Sequence, residues 1–353
     1  MLILDGVKHD QFSISKEAQE LSLMVKDPSL SLVDRLECFE DIINIEVGDT
    51  NLNRSRAIER KYDLRQVFIK FEGNNPTGTQ KDRIAFAQVH DALRRGFTTI
   101  SVATCGNYGS AIAFAAYLGG LECKIFIPES YHTNRVTEME KFGAQIIRHP
   151  GSYEDSVWES IRRAEQLEWY DANPGGANTP LQIRAYAQIA EEIYDVLNDA
   201  PKMVAVPVSN GTLLAGIHRG FVALYKRGKT SRIPKLIAGS SSGKNPIIQS
   251  FNKGLNHCED LDPAKIKETE WNEPLINWHS FDGEEALYAL HESKGEAFNI
   301  SDAKLLSHSQ FLTREEGLLV LPASTAGLAA LLEHHAKHPL EPDRYVAIIT
   351  AKR

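Results

Sequence analysis

The chain has 353 residues, 42% of them hydrophobic and 24% charged, with a formal net charge of -8. That is room for one large or two medium domains with ample core, in the composition of an ordinary globular protein. The acidic balance, with no basic run, gives no electrostatic case for nucleic acid; no apolar run is long enough to cross a bilayer and no signal-peptide pattern opens the chain, so no membrane partner and a cytoplasmic location are expected.

Residues 1–47 are polar and mixed, with a short amphipathic helix expected over residues 30–39. A β-rich run, Gln66–Phe71, leads through an Asn-, Pro- and Gly-punctuated turn into a helix-like segment, Ile84–Arg95. Strands are then expected at 98–103, 124–128 and 144–148, alternating with helices at 110–118, 133–142 and 153–167. A loop by composition, Asn173–Asn178, precedes a long helix over 180–197. A second alternating set has strands at 203–208, 235–240 and 345–350 and helices at 213–225 and 324–336. Residues 252–280 break the rhythm with charge, Pro and Trp, and no regular element is assigned to them. Alternation at this spacing implies βαβ units and a mainly parallel sheet. Ligands then bind at the carboxyl ends of the strands.

The four cysteines, at 38, 105, 123 and 258, contain no Cys-x-x-Cys, which argues against a disulfide framework or structural zinc. Among twelve histidines, His334, His335 and His338 fall near a helix end, where solvated or dipole-complementing roles outweigh metal ligation. No metal site is expected.

Four post-strand features carry unusual chemistry. The first is Asn75-Pro76-Thr77-Gly78-Thr79-Gln80-Lys81-Asp82-Arg83, which sets Lys81 where a helix begins. Gly73 and Gly78 have the separation of a Walker A loop, but Thr79-Gln80 intervene where Lys and Ser/Thr must follow directly. The second is Thr104-Cys105-Gly106-Asn107-Tyr108-Gly109, whose backbone N–H groups at a helix N-terminus suit a carboxylate. Read alone, it is more simply a glycine-rich turn before a helix, with Cys105 as a small core residue. The third, Ser209-Asn210-Gly211-Thr212-Leu213, offers successive N–H groups and two hydroxyls to a phosphate. The fourth is Thr350, at the end of the final strand. Upstream of it, Ser324 in Pro322–Gly327 is either a helix N-cap or a site-lining hydroxyl.

The lysine segment closely resembles Asn-Pro-Thr-Gly-Ser-Phe-Lys-Asp-Arg of the fold-type II pyridoxal-phosphate enzymes (the tryptophan synthase β-like superfamily), in its threonine-synthase-like branch. Gln80 and Thr79 depart from that pattern. Gly48–Leu52 resembles the family's Gly-x-Thr-Pro-Leu entry, with Asn51 for Pro. The second loop resembles Ser/Thr-Ser-Gly-Asn-Thr-Gly, with Cys105 and Tyr108 as departures, and the third resembles Gly-Ser/Asn-Gly-Gly-Thr, with Ser209 and Thr212 replacing glycines. Pro322–Gly327 resembles the family's Glu-Pro-Ala-Ser-Ala-Ala-Gly, with Leu321 for Glu, and the chain ends Ala351-Lys352-Arg353 where threonine synthases continue Thr-Gly. The resemblance runs from about Gly48 to Thr350.

It implies two open α/β domains with mainly parallel sheets and pyridoxal 5'-phosphate in the cleft between them. By this analogy residues 75–180 form the smaller domain, and 1–74 with 181–353 the larger. Lys81 would carry the cofactor as a Schiff base and act as the catalytic base. Asn107 would bond the cofactor ring hydroxyl, Ser209, Asn210, Gly211, Thr212 and Leu213 its phosphate, and Thr350 its pyridine nitrogen. Thr104, Cys105, Gly106, Asn107 and Tyr108 would receive the substrate carboxylate. The implied activity is a lyase of amino-acid biosynthesis, converting O-phosphohomoserine and water to threonine and phosphate. Alternatives are another β-elimination or β-replacement enzyme, serine/threonine dehydratase-like or cysteine synthase-like, or a cofactor-binding protein without turnover. The substrate would be a small amino acid and the assembly a homodimer.

Overall fold

A computed structural model describes the backbone of residues 2–4 and 7–9 and the whole of 14–104, 106–131 and 135–353. The chain divides into two compact units, residues 1–48 with 75–182, and 49–74 with 183–353.

The first unit is built on four parallel strands in the spatial order Gln145–His149, Glu122–Pro128, Thr99–Ala103, Tyr170–Asp171. Thr99–Ala103 is buried along its whole length, the pattern of a strand covered on both faces. From it the chain steps outward through two further strands and then returns to place Tyr170–Asp171 on its other side. The order therefore reverses between Thr99–Ala103 and Tyr170–Asp171, and the crevice outside their carboxyl ends is a topological switch point. The helices Lys81–Arg94 and Asn107–Gly119 pack on each other, with Phe86 edge-on to Phe114.

One boundary differs from the sequence expectation, since residues 1–48 belong with this unit and not with the larger one. The cause is apolar burial. Helix Leu32–Glu46 buries Phe39 and Ile42 completely, and the Phe39 ring stacks on Phe86 at 6.0 Å. Helix Lys16–Lys26 is tied to the same body by the Ser22 hydroxyl, which donates to the Leu118 carbonyl at 3.0 Å. Both helices are opened by a serine whose side chain accepts a backbone N–H three residues on.

The second unit holds six strands in the order Glu296–Ile300, Lys235–Ser241, Met203–Pro207, Tyr345–Ile349, Val67–Phe71, Leu52–Arg54. All neighbours are parallel except the edge strand Leu52–Arg54. The central pair, Met203–Pro207 and Tyr345–Ile349, is fully buried and registers Tyr345 against Met203. Order reverses between these two strands, giving this sheet its own switch point.

Within residues 252–280 the structure has only two 3-10 turns, Pro263–Lys265 and Glu273–Leu275, and the chain continues into helix Gly283–Glu292, strand Glu296–Ile300 and helix Asp302–Glu316. The histidine group at the end of helix Ala326–Lys337 is less solvated than its position suggests. His334 is 4% exposed and its Nδ1 lies 2.9 Å from Glu296 Oε2, while His335 Nε2 meets the Tyr62 carbonyl. Among the described residues no helix is long and apolar enough to cross a membrane, and no group of His, Cys, Asp and Glu is arranged to hold a metal ion.

Candidate functional site

In the first unit, Lys81 opens helix Lys81–Arg94 after a turn held by its own side chains. Gly78 adopts φ +81, a left-handed conformation in which only glycine is unstrained, and its N–H returns to the Asn75 carbonyl at 2.8 Å. Thr77 donates to the fully buried Asp82 carboxylate twice, from its backbone N–H at 2.8 Å and its hydroxyl at 2.7 Å. Asp82 thus closes the turn as well as complementing the helix start. Lys81 is half-buried, and its Nζ stands 5.3 Å from the centre of the Tyr108 ring.

The loop after Thr99–Ala103 lies at the switch point of this sheet. Thr104 is buried, its N–H donates to the Phe126 carbonyl at 3.0 Å, and its hydroxyl faces the Gly106 N–H at 3.4 Å. Gly106 and Asn107 are half-buried, and Asn107 is the first residue of the helix. Cys105 lies outside the described residues. Tyr108, 7% exposed, turns its hydroxyl inward: it donates to the Ala172 carbonyl at 2.8 Å and accepts from the Gln88 side-chain amide. Gln182 completes this network, donating to Gln88 Oε1 at 3.2 Å and to the Asn173 carbonyl at 3.0 Å. Asn173, fully buried, accepts the Ala103 N–H at 2.8 Å. The loop is therefore pinned to the exit of the neighbouring strand, and what Tyr108 presents to Lys81 is an aromatic face.

In the second unit, Ser209–Leu213 follows strand Met203–Pro207 and opens helix Thr212–Lys226. Gly211 takes φ +102, and a Cβ there would stand 2.7 Å from both the Asp282 carbonyl oxygen and Ala286 Cβ. No other residue fits this turn without displacing backbone. Asn210 accepts from Asn277 Nδ2 at 2.9 Å. Asn245, fully buried, donates to the Ser209 carbonyl at 3.0 Å and the Leu275 carbonyl at 3.2 Å, and caps helix Pro246–Asn252 through its Oδ1. The Thr212 hydroxyl donates to the Asp282 carboxylate, and Leu213 is buried.

Thr350 follows the adjacent strand, across the same switch point. Its hydroxyl, on a residue 8% exposed, donates to Ser324 Oγ at 3.1 Å, and Ser324 in turn faces the Ala351 carbonyl at 3.3 Å. Ser324 lies within the 3-10 turn Pro322–Thr325 and makes no N-cap bond, so its hydroxyl serves Thr350 and the chain end. The second unit thus brings Ser209–Leu213 and the Thr350–Ser324 hydroxyl pair to the ends of two neighbouring strands.

Asn245, Asn277, Asp282, Gln88 and Gln182 were not anticipated from the sequence. Asn245 before Pro246 is a readable N-cap followed by proline at N1. The bracing of loops by Gln88, Gln182, Asn277 and Asp282 has no local signature, because each acts across the fold.

These features fit pyridoxal 5'-phosphate. The first unit carries a lysine at a helix start beside an aromatic face; the second, taken by itself, carries a glycine turn at a helix N-terminus too tight for a Cβ and an uncharged hydroxyl pair at a strand end. Two mainly parallel sheets, each with an unusual loop at its switch point, define an open α/β enzyme fold. The family model for pyridoxal-phosphate-dependent enzymes matches residues 43–351. The chain belongs to this family and is a pyridoxal-phosphate-dependent enzyme of fold type II. Among curated relatives, the threonine synthase of Synechocystis is 30% identical over 301 residues, covering 84% of this chain and 75% of that protein. That of Methanocaldococcus jannaschii is 28% identical over 311 residues, covering 88% and 75%. Solved structures with the same fold include maize serine racemase, with TM-score 0.74 at 20% identity over 90% of this chain and 92% of that one. A threonine deaminase isoform of Solanum lycopersicum has TM-score 0.71 at 15% identity, over 93% and 92%.

Proposed function

We propose that the chain is a lyase of the threonine-synthase type, which takes O-phosphohomoserine and water to threonine and phosphate. The observation that carries the reading is the Asn75–Arg83 segment, with Lys81 at a helix start and Asp82 closing the turn through Thr77, in a chain whose relatives at 28–30% identity are threonine synthases. In this reading Lys81 would hold the cofactor through its side-chain amine and would move protons at the substrate Cα and Cβ. Pyridoxal phosphate, when bound, supplies an electron sink for charge developing at the substrate Cα.

The other assignments follow from donor chemistry. Backbone N–H groups of Thr104–Tyr108, at the start of helix Asn107–Gly119, take the substrate carboxylate. The Asn107 amide bonds the cofactor ring hydroxyl. Ser209–Leu213 take the cofactor phosphate on the N-terminus of helix Thr212–Lys226. Thr350, with Ser324 behind it, offers the pyridine nitrogen a neutral hydroxyl. A hydroxyl does not hold that nitrogen protonated as a carboxylate does, which favours elimination and replacement over transamination. A homodimer in the cytoplasm completes the reading.

A second reading keeps the cofactor and changes the leaving group, as in dehydratases or β-replacement enzymes. It is favoured by the aromatic Tyr108 in the carboxylate loop and by the fold's likeness to serine racemase and threonine deaminase. Release of phosphate, ammonia and 2-oxo acid is to be measured across a panel of amino acids and phosphoamino acids. Phosphate release from O-phosphohomoserine with threonine as product is expected. Ammonia and 2-oxo acid from serine or threonine, without phosphate release, would replace it with the second reading.

A further inference from the structure

The loop Ser209–Leu213 has an acidic neighbour that touches three of its residues in a row. Asp282, 3% exposed, stands at the start of helix Gly283–Glu292. Its N–H donates to the Asn210 carbonyl at 3.1 Å, its carbonyl oxygen lies 2.7 Å from the position of a Cβ on Gly211, and its carboxylate accepts the Thr212 hydroxyl. The other two side chains bracing the loop, Asn245 and Asn277, are neutral amides. An asparagine at 282 keeps both backbone contacts and can donate its amide N–H to the Thr212 hydroxyl oxygen, which frees the hydroxyl proton. What the aspartate adds, when ionised, is a negative charge, and on a loop suited to an anion that charge acts against binding. It also engages the hydroxyl of Thr212.

We propose that Asp282 is a positioning residue that limits the grip of this loop on the cofactor phosphate. Its backbone holds residues 210–212 in shape, while its carboxylate occupies the Thr212 hydroxyl and leaves the phosphate to backbone N–H groups and Ser209. This rests on the reading that Ser209–Leu213 receives the phosphate. If Asp282 were purely structural, its replacement would loosen the loop and lower the affinity for the phosphorylated form. Removing a charge that acts on the phosphate raises that affinity and leaves pyridoxal unaffected.

The apoprotein is to be titrated with pyridoxal 5'-phosphate, with pyridoxal and with inorganic phosphate, in the wild type, Asp282→Asn, Thr212→Val and the double variant. Asp282→Asn should raise affinity for pyridoxal 5'-phosphate about tenfold, because repulsion is removed and the hydroxyl is released to a charged acceptor. Inorganic phosphate affinity should rise with it and pyridoxal affinity should not. The double variant should show less than that gain, because Thr212→Val removes the hydroxyl that Asp282→Asn releases. An unchanged or lowered ratio of pyridoxal 5'-phosphate to pyridoxal affinity in Asp282→Asn overturns the proposal, as does a gain that the double variant keeps in full. Gly211→Ala separates the two levels of the argument. If that variant folds and keeps the wild-type ratio, the phosphate lies elsewhere and both the reading and the proposal fail. If its ratio collapses while that of Asp282→Asn stays put, only the proposal fails.

Discussion

The loop after Thr99–Ala103 and the loop after Met203–Pro207 occupy the same topological place in their respective sheets, yet they are braced differently. The first is pinned by residues close to the neighbouring strand's exit, through the Ala172 carbonyl, Asn173 and the paired amides of Gln88 and Gln182. The second is pinned from farther along the chain, by Asn245, Asn277 and Asp282. In both, a side-chain hydroxyl of the loop is spent inward, Tyr108 on Ala172 and Thr212 on Asp282. An aromatic face is left outward in one and backbone N–H groups in the other. Hydroxyl substitutions in such loops therefore report on loop shape before they report on ligand contact.

The largest expected effect falls on the covalent role given to Lys81, which no residue of the second unit shares. Lys81→Ala should abolish turnover while some phosphate-dependent cofactor binding persists. Borohydride reduction of the wild type should bleach the imine absorbance and leave the cofactor on a single peptide containing Lys81. Finding it on another lysine removes the basis for comparing the loops as parts of one reaction.

Next in size are the two braces. Asn245→Ala removes a helix cap and the donors to Ser209 and Leu275, all in a fully buried place, at a cost of about 2–3 kcal/mol. Its affinity ratio of pyridoxal 5'-phosphate to pyridoxal should fall, because the loop it holds is the one assigned to the phosphate. Gln88→Ala removes one of the two bonds to the Tyr108 hydroxyl in the first unit and should leave that ratio alone while losing about 1–3 kcal/mol of stability. Urea melts and paired titrations measure both. Equal effects on the ratio would mean that the two loops are not specialised as assigned.

The alternating strands and helices of both sheets are legible in the sequence because buried parallel strands write continuous β-branched runs, as in Met203–Pro207 and Tyr345–Ile349. Lys81 is legible because its turn needs Pro76, Gly78 and Asp82 in a fixed local order. Strand Glu296–Ile300 was missed since, at the sheet edge, it buries only Phe298 and Ile300. The role of residues 252–282 was illegible for a different reason: their polar contacts with 209–212 span some seventy positions and leave no periodic trace. The inward turn of the Tyr108 hydroxyl was hidden likewise, since its partners Gln88 and Ala172 are remote in sequence.

That inward turn sharpens the expectation for substrate choice. Tyr108→Phe keeps the ring beside Lys81 and removes a buried hydroxyl, so kcat/KM ratios across a substrate panel should hold while stability falls by about 1 kcal/mol. Tyr108→Thr with Cys105→Ser removes the aromatic face and should shift those ratios with the cofactor absorbance kept. If the double replacement moves no ratio, the first loop is scaffold, and specificity comes from another part of the protein.

The smallest effect concerns the ionisable member of the first brace. Asp171 ends its strand with Oδ1 accepting from the backbone N–H and side-chain amide of Asn173, at 2.9 and 2.7 Å. Burial pushes its carboxyl above the ordinary value of 3.8, against the pull of those two Asn173 donors. A carboxyl raised on folding binds its proton more tightly in the native state than in the unfolded one. Its contribution is therefore fully present below the unfolded pKa and is lost as pH rises through the folded one. At neutral pH the charge is a net cost to the folded protein. Asp171→Asn keeps a single oxygen able to accept both Asn173 bonds and removes that cost. Its Tm should exceed the wild type's by on the order of 1–3 °C at pH 7, for a stabilisation of about 1 kcal/mol or less in a unit of this size. The difference should shrink as pH falls through the raised folded pKa towards 3.8, and it closes only below that value, where the wild-type carboxyl is protonated in both states. A gap that stays constant from pH 4 to pH 7 would assign the effect to packing, and the first brace would then carry no charge-dependent part.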